Sequence, residues 1–211
     1  MTTGADATEA GPTPPFEAVV LAAGAASRFG GGKLLAPYMA GVLLDGALAA
    51  ALAAPARSVT VVTGADEEAV VAAAIRFADR VGQHERLRMV HAADYADGMA
   101  HSLRMGIASL PADCAGAFVF LGDMPRVPRE VLAPLAAAVR AGAAAAAPVF
   151  EGQRGHPALL SAALFPELLG LVGDAGARRV LDGLGPRLAL VEAADDGVLF
   201  DVDRPGDLAG S

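Results

Sequence analysis

The chain has 211 residues, of which 54% are apolar and 5% aromatic, and it carries a formal net charge of −8 at pH 7. That length accommodates one α/β domain with a full core and is short for two, and so aromatic-poor a composition favours layers of helices and strands over a sandwich. The acidic balance argues against nucleic acid or an anionic membrane as partner, so any bound phosphate must be met by local cations.

Residues 1–15 show neither a basic start nor an apolar run and read as a flexible tail rather than a secretory signal, with residues 16–211 as a single domain. A strand is predicted at Glu17–Leu21, followed by a glycine-rich loop and a helix over Val42–Ala54. Strand Val59–Thr63, helix Asp66–Arg80, strand Arg88–His91, helix His101–Ser109 and strand Ala117–Leu121 follow. Helix Arg129–Ala141 leads to strand Ala144–Val149. Residues Phe150–Ser161 hold two glycines and a proline without a helical period, and are expected to form an insertion or hairpin across the carboxyl edge of the sheet. Helices Ala162–Leu169 and Ala177–Leu184 and strands Leu188–Val191 and Val198–Asp201 complete the order. This alternation predicts a mostly parallel sheet with helices on both faces, a three-layer α/β/α arrangement. The alanine-rich stretches are not membrane spans, because Asp45 interrupts one and Glu130 and Arg140 bracket another. Cys114, the only cysteine, excludes an internal disulfide and leaves a thiolate metal site without partners, which fits a reducing, cytoplasmic setting.

Ligands of an open parallel sheet settle outside the carboxyl ends of its strands, so the loops that follow strands are the places to search. Three of them carry unusual residues: Ala23–Lys33, Asp94–Ser102 and Gly122–Pro125. In the first, glycines at 24, 30, 31 and 32 let the main chain approach an anion and point N–H groups at it, while Arg28 and Lys33 add positive charge. A solvated turn with two surface cations is the plain alternative. The ATPase phosphate loop is excluded, since its first glycine and its hydroxyl residue would fall at Ser27 and Leu34. The dinucleotide fingerprint also fails, with Ala26 at its second glycine and Ser27–Arg28–Phe29 beyond, which removes the main support for a nicotinamide-dependent dehydrogenase.

"LAAG" at Leu21–Gly24, followed by "RFGGGKLLAP" at Arg28–Pro37, resembles the signature of the MobA-like nucleotidyltransferases, L-A-A-G-x-S-x-R-M-G-x-x-K-L-L-x-P. Within that family the chain is most similar to the molybdenum cofactor cytidylyltransferase branch. The likeness continues through "DGMAHSLRMG" at Asp97–Gly106, "LGDMP" at Leu121–Pro125 and "RGHP" at Arg154–Pro157. It extends to "GDAGARRVL" at Gly173–Leu181 and "DVDRPGDL" at Asp201–Leu208. Three positions depart: Ala26 replaces the serine, Phe29 the methionine, and His101 a residue that is often small. The resemblance implies a Rossmann-like sheet of the nucleotide-diphospho-sugar transferase type. It also implies a magnesium-dependent transfer of a cytidylyl group from CTP to the phosphate of molybdenum-molybdopterin, with release of pyrophosphate.

Such a transfer sets one anion against another, so cations and metal ligands are its main requirement. The resemblance implies that Lys33 lies near the nucleotide phosphates and that Arg28 stabilises the departing pyrophosphate. By the same likeness Leu21, Ala22, Ala23 and Gly24 line the nucleotide's path, and Gly98 and Ser102 touch base or ribose. Relatives that use guanine tend to carry a second glycine where this chain has Ala23, so the extra methyl points to the smaller ring of cytosine. Asp123, at the end of an apolar strand, is the expected Mg2+ ligand, with helix capping as the alternative. Asp201 or Asp203 would supply a second carboxylate, with Asp201 slightly preferred because a predicted strand leads into it. Arg154 and His156 are expected to hold the acceptor's phosphate or pterin, although a histidine before proline in a hairpin is equally a structural residue. Asp174 reads as a helix N-cap, Cys114 as a small buried residue, and Met99, Met105 and Met124 as packing beneath the ligand. The implied partners are CTP, a phosphorylated pterin cofactor, and a molybdenum hydroxylase or its maturation factor. The rival readings are a guanylyltransferase for the same cofactor, a sugar-phosphate nucleotidyltransferase, a non-catalytic cofactor chaperone hinted at by Ala26 and His101, and, weakest, a dehydrogenase.

Overall fold

The computed structural model describes residues 15–26, 29–173 and 176–210. Its first strand, β1 (Phe16–Ala22), sends Ala18, Val20 and Ala22 to one face and Val19 to the other, the period-two alternation of a strand covered on both sides. After a small hairpin of β2 (Pro37–Tyr38) and β3 (Gly41–Val42) come α1 (Leu43–Ala53), β4 (Ala56–Thr63) and α2 (Glu67–Arg80). Next are β5 (Leu87–His91), α3 (Met99–Ala108) and β6 (Gly116–Leu121). The second half contributes α4 (Leu132–Arg140), β7 (Ala145–Phe150), β8 (Gln153–Arg154) and β9 (Ala158–Ser161). It closes with α5 (Phe165–Leu169), α6 (Arg178–Gly183) and β10 (Leu188–Glu192).

The central sheet runs in the order β10-β7-β9-β6-β1-β4-β5, with β8 beside β7. β1 pairs in parallel with both β4 and β6, β4 with β5, and β7 with β10. β9 is antiparallel to both of its neighbours, and β8 is antiparallel to β7. Helices α1, α2 and α4 bury Leu44, Leu48, Phe77 and Leu135 on one face, and α3, α5 and α6 bury Leu103, Leu168 and Leu181 on the other. The molecule is therefore a three-layer α/β/α Rossmann-like fold with a mixed, mostly parallel sheet. Each large apolar side chain so buried contributes about 1.5–3 kcal/mol. Small residues let the layers approach: a Cβ at Gly106 of α3 would stand 2.6 Å from Val19 Cγ1 and 3.1 Å from Val62 Cγ2.

One charged network sits at the opposite end of the sheet from the strand-end loops. Glu17 is wholly buried, yet it accepts hydrogen bonds from Arg57 Nε at 2.6 Å, Ser58 N at 2.9 Å and Ser58 Oγ at 2.6 Å. Arg57 continues as a fork onto Asp113, with both nitrogens 2.8 Å from its carboxylate oxygens. This arrangement holds the Asp113 carboxyl below its usual range, chiefly through the Arg57 hydrogen bonds. Cys114 is buried beside it, its Sγ donating to the Gly116 carbonyl at 3.1 Å, and burial pushes the thiol's pKa up.

Several expected elements take another form. The strand expected at Val198–Asp201 is absent: Asp196–Val198 is a 3-10 turn, started by the Asp195 carboxylate accepting from Gly197 N at 2.8 Å. The Asp-Gly turn chemistry overrides the short apolar run there, and the segment is tied down instead by His156 N donating to Val198 O at 2.8 Å and Val202 N to Asp123 O at 3.1 Å. The stretch Phe150–Ser161 does form a hairpin, but its end is β9, an integral strand between β6 and β7. An all-apolar run of three residues has no alternation to announce it when both faces are covered. Asp174 lies outside the described residues. Among the described residues no helix is long and apolar enough to cross a membrane.

Candidate active site

β1 hands the chain to the loop Ala23–Ala26, whose residues wall a cavity of about 540 Å3. Leu21, Ala22, Ala23, Gly24, Lys33, Gly98, Ser102 and Asp123, all expected near the nucleotide or its metal, line this one space. Ala25, Ala26, Leu34, Tyr95, Ala96, Met99 and Leu121 complete the wall. Tyr95 was not singled out from the sequence, although one of only two tyrosines in a strand-end loop was a usable signal. Arg28 lies outside the described residues.

The glycine run works differently from a simple anion cradle. Gly30, Gly31 and Gly32 have φ of +95°, +95° and +60°, a left-handed path that returns the chain and starts the short turn Lys33–Leu35. The amides of Phe29, Gly30 and Gly31 all donate to the Ala26 carbonyl, at 3.0, 3.2 and 3.2 Å, so they brace the loop rather than face the cavity. The path of these glycines leads directly into the turn that begins at Lys33.

Lys33 Nζ donates to Asp123 Oδ2 at 2.6 Å across a separation of 90 residues, and stands 3.8 Å from Asp203 Oδ1. Asp123 follows β6, where Gly122 N donates to Leu21 O at 2.9 Å and fastens this loop to the first. On its other side Gly46 of α1 leaves room for Pro125, whose carbonyl a Cβ would strike. The C-terminal segment is clamped over the same rim by Arg126, whose guanidinium lies 3.9 Å above the Phe200 ring while its Nε donates to Tyr38 Oη at 3.2 Å. Asp201 has its pKa raised, first by burial and then by the charges of Asp203 and Asp123. With no strand leading into Asp201, the reason for preferring it over Asp203 disappears, and Asp203 is the one beside Lys33.

These carboxylates repel one another and offer only oxygen donors. Among the described residues no group of three or more His, Cys, Asp or Glu side chains is arranged to hold a metal by itself. One or two carboxylates suffice for magnesium when a substrate's phosphates complete its shell, so the donor set fits that ion.

A second cavity, of about 640 Å3, lies beyond the shared wall of Leu21, Met99 and Leu121. Its lining includes Gln153, Arg154, Gly155 and His156 from the hairpin and Arg178, Leu181 and Asp182 from α6. Arg154 donates to Asp182 at 2.6 Å, a pairing with no signal in the sequence because Asp182 belongs to no motif. Burial depresses the His156 pKa. Met124 is buried as expected and Met99 lies between the two cavities, but Met105 is 41% exposed on α3 and lines neither, because its helical position faces outward. The Nδ1 atom of His101 is buried without a hydrogen-bond partner among the described residues.

A model of the MobA-like NTP transferase domain matches residues 18–191. The chain is 32% identical over 198 residues to the nicotine blue oxidoreductase of Paenarthrobacter nicotinovorans, covering 90% of this chain and 93% of that protein. It is 24% identical over 192 residues to the molybdenum cofactor cytidylyltransferase of Escherichia coli (strain K12), covering 91% and 93%. The crystal structure of Rv0371c from Mycobacterium tuberculosis H37Rv superposes with a TM-score of 0.80 at 26% identity, covering 94% of this chain and 98% of the other.

Proposed function

The chain belongs to the MobA-like NTP transferase family, and on that premise we propose that it transfers a cytidylyl group from CTP to the phosphate of molybdenum-carrying molybdopterin, with magnesium. An oxygen of the acceptor phosphate attacks the α-phosphorus of CTP, a new P–O bond forms, and the bond to the bridging oxygen breaks to release pyrophosphate. The first cavity takes the nucleotide, with Gly98 and Ser102 toward the base and Lys33 toward the phosphates. Asp123 and Asp203, with Asp201 beside them, would hold Mg2+, which when bound neutralises phosphate charge and orients the transferring group. The second cavity receives the acceptor, and the shared wall of Leu21, Met99 and Leu121 is where the two substrates approach. The observation that carries this reading is the meeting of Lys33 and Asp123 on the rim of the cavity that Gly24, Gly98 and Ser102 line.

The base choice rests on Ala23, which is buried and whose methyl packs beside Gly64. The test is a panel of four nucleoside triphosphates with magnesium, scored by melting temperature. CTP at a hundredfold excess over its dissociation constant should add about 2.7 kcal/mol, and labelled cytidylyl should appear on the acceptor. An equal or larger shift with GTP would move the assignment to a guanylyltransferase, transfer to a sugar phosphate alone would change the acceptor, and CTP binding without pyrophosphate release would favour a cofactor chaperone.

A second reading has a specific observation behind it, the 32% identity to a protein named as an oxidoreductase. It places a reduced nicotinamide dinucleotide in the first cavity and a reducible heterocycle in the second. Oxidation of NADH or NADPH that depends on such a heterocycle, without any response to CTP, would favour it.

A further inference from the structure

We propose that Arg126 is a positioning residue for the metal: acting through Phe200, it holds Asp203 where its carboxylate can share an ion with Asp123. The inference rests on the reading of those two carboxylates as ligands of Mg2+.

Both aspartates reach the same ammonium, with Lys33 Nζ 2.6 Å from Asp123 and 3.8 Å from Asp203, but the backbones that carry them are held differently. Asp123 follows β6, a strand with neighbours on both sides. Asp203 lies beyond the turn Asp196–Val198, in a segment with no strand pairing. Arg126 meets this segment twice. Its carbonyl stands against the bare Cα of Gly197, where a Cβ would strike it. Its guanidinium lies 3.9 Å above the Phe200 ring while Nε donates to Tyr38 Oη at 3.2 Å. Tyr38, Leu43 and the wholly buried Val202 form a small cluster apart from the two layer cores, with Phe29, Phe200 and Leu208 packed against it. The backbone leading to Asp203 is therefore seated on Arg126 and the β2–β3 hairpin, and beyond it Asp203 N donates to Asp207 Oδ2 at 2.9 Å.

Arginine suits this place because one flat face covers a ring while an edge N–H reaches a hydroxyl, and a lysine ammonium has no such face. Arg126 lines neither cavity, so it does not wall the nucleotide. By charge alone, deleting a cation near a divalent ion tightens the ion's binding. Positioning predicts the reverse: without the stack the segment spends less time in place, and apparent affinity falls with that fraction.

The test is equilibrium dialysis of labelled CTP with the full chain, once in EDTA and once with saturating Mn2+. The ratio of the two dissociation constants measures how strongly metal and nucleotide are coupled. Arg126→Met should lower that ratio at least about fivefold while leaving the EDTA value within about twofold of wild type, the scale of one lost cation–π contact. Phe200→Leu should lose as much, and the double variant no more, because the two side chains make one contact. Arg126→Lys should not rescue the ratio, whereas Phe200→Tyr should keep it. In hydrogen exchange with Mn2+ and CTP present, residues 196–203 should exchange faster in Arg126→Met than in wild type. Melting curves without ligand control for folding, and Phe200→Leu carries the same prediction if Arg126→Met does not fold. A ratio unchanged or raised in Arg126→Met, an equal weakening in EDTA, additive losses in the double variant, or full rescue by Arg126→Lys would each overturn the proposal. A wild type whose CTP binding gains nothing from Mn2+ sinks the metal reading and this inference with it. A gain that Arg126→Met retains sinks this inference alone.

Discussion

Among the described residues, the Lys33 ammonium meets Asp123 at 2.6 Å and Asp203 at 3.8 Å. The ammonium therefore supplies, in this structure, the neutralisation of the carboxylates that the proposed divalent ion would share. Replacing Lys33 with Met should lower cytidylyl transfer at least about a hundredfold, the usual scale for one preorganised charge. The same variant should show a larger rise in melting temperature on adding Mg2+ or Mn2+ than wild type does, because the carboxylates are then uncompensated. If metal stabilises both proteins equally, Lys33 does not neutralise this site. At the other end of the sheet, Glu17→Ala removes the buried acceptor of Ser58 N and Ser58 Oγ and should cost about 1–3 kcal/mol in urea denaturation, the scale of buried donors left unsatisfied. Asp113→Ala should cost far less, since that carboxylate is exposed and screened. His156 supplies a pH effect whose sign is determined by its depressed folded-state pKa. Below its ordinary value of 6.5 the unfolded chain binds the proton more readily than the folded one, so stability falls as pH drops from there toward the folded pKa. Urea titrations at pH 7 and at pH 5.5 should show a smaller difference for His156→Asn than for wild type.

Helix α3 links residue chemistry to the layer packing. Its first turn carries Met99 and Ser102 into the first cavity, and its far end seats Gly106 against Val19 and Val62. Gly106→Val should push the helix off the sheet, costing about 1–3 kcal/mol of stability as overpacking does and weakening CTP binding at the same time. Unchanged nucleotide affinity in a destabilised Gly106→Val would show that α3 does not position the base. The segment after β10 is held by contacts of a different kind, the Arg126–Phe200 stack and single backbone bonds to the Asp123 loop and the hairpin. Its sequence reads as a strand because a short apolar run looks alike whether it pairs with a sheet or packs as a turn.

In the whole molecule, the buried Glu17–Arg57 network and the candidate site occupy opposite ends of one sheet. β1 lies between β6 and β4 at its centre, so amides of these three strands should be the last to exchange in hydrogen-exchange mass spectrometry. Residues 196–203 should exchange early in the free protein and slow markedly with CTP and magnesium, and no slowing there would remove Asp203 from the metal site. Much of this plan was legible beforehand: the strand-helix alternation, the loops after the strands and the cationic and acidic letters at their ends. β9 was not, because three apolar residues carry no period, and neither was the bracing of the glycine amides on Ala26, because glycine announces permitted backbone angles and not the partner those angles select. The amino-acid sequence by itself determined the layered fold and the inventory of reactive groups, since periodicity and loop composition are properties of near neighbours in the chain. Only the tertiary structure decided that Lys33 meets Asp123, that Arg154 turns to Asp182, and that the His156 Nδ1 is buried with no partner among the described residues. Those pairings follow from which strands lie side by side, and that is settled by the sum of many small packing energies across the whole sheet rather than within any one stretch of residues.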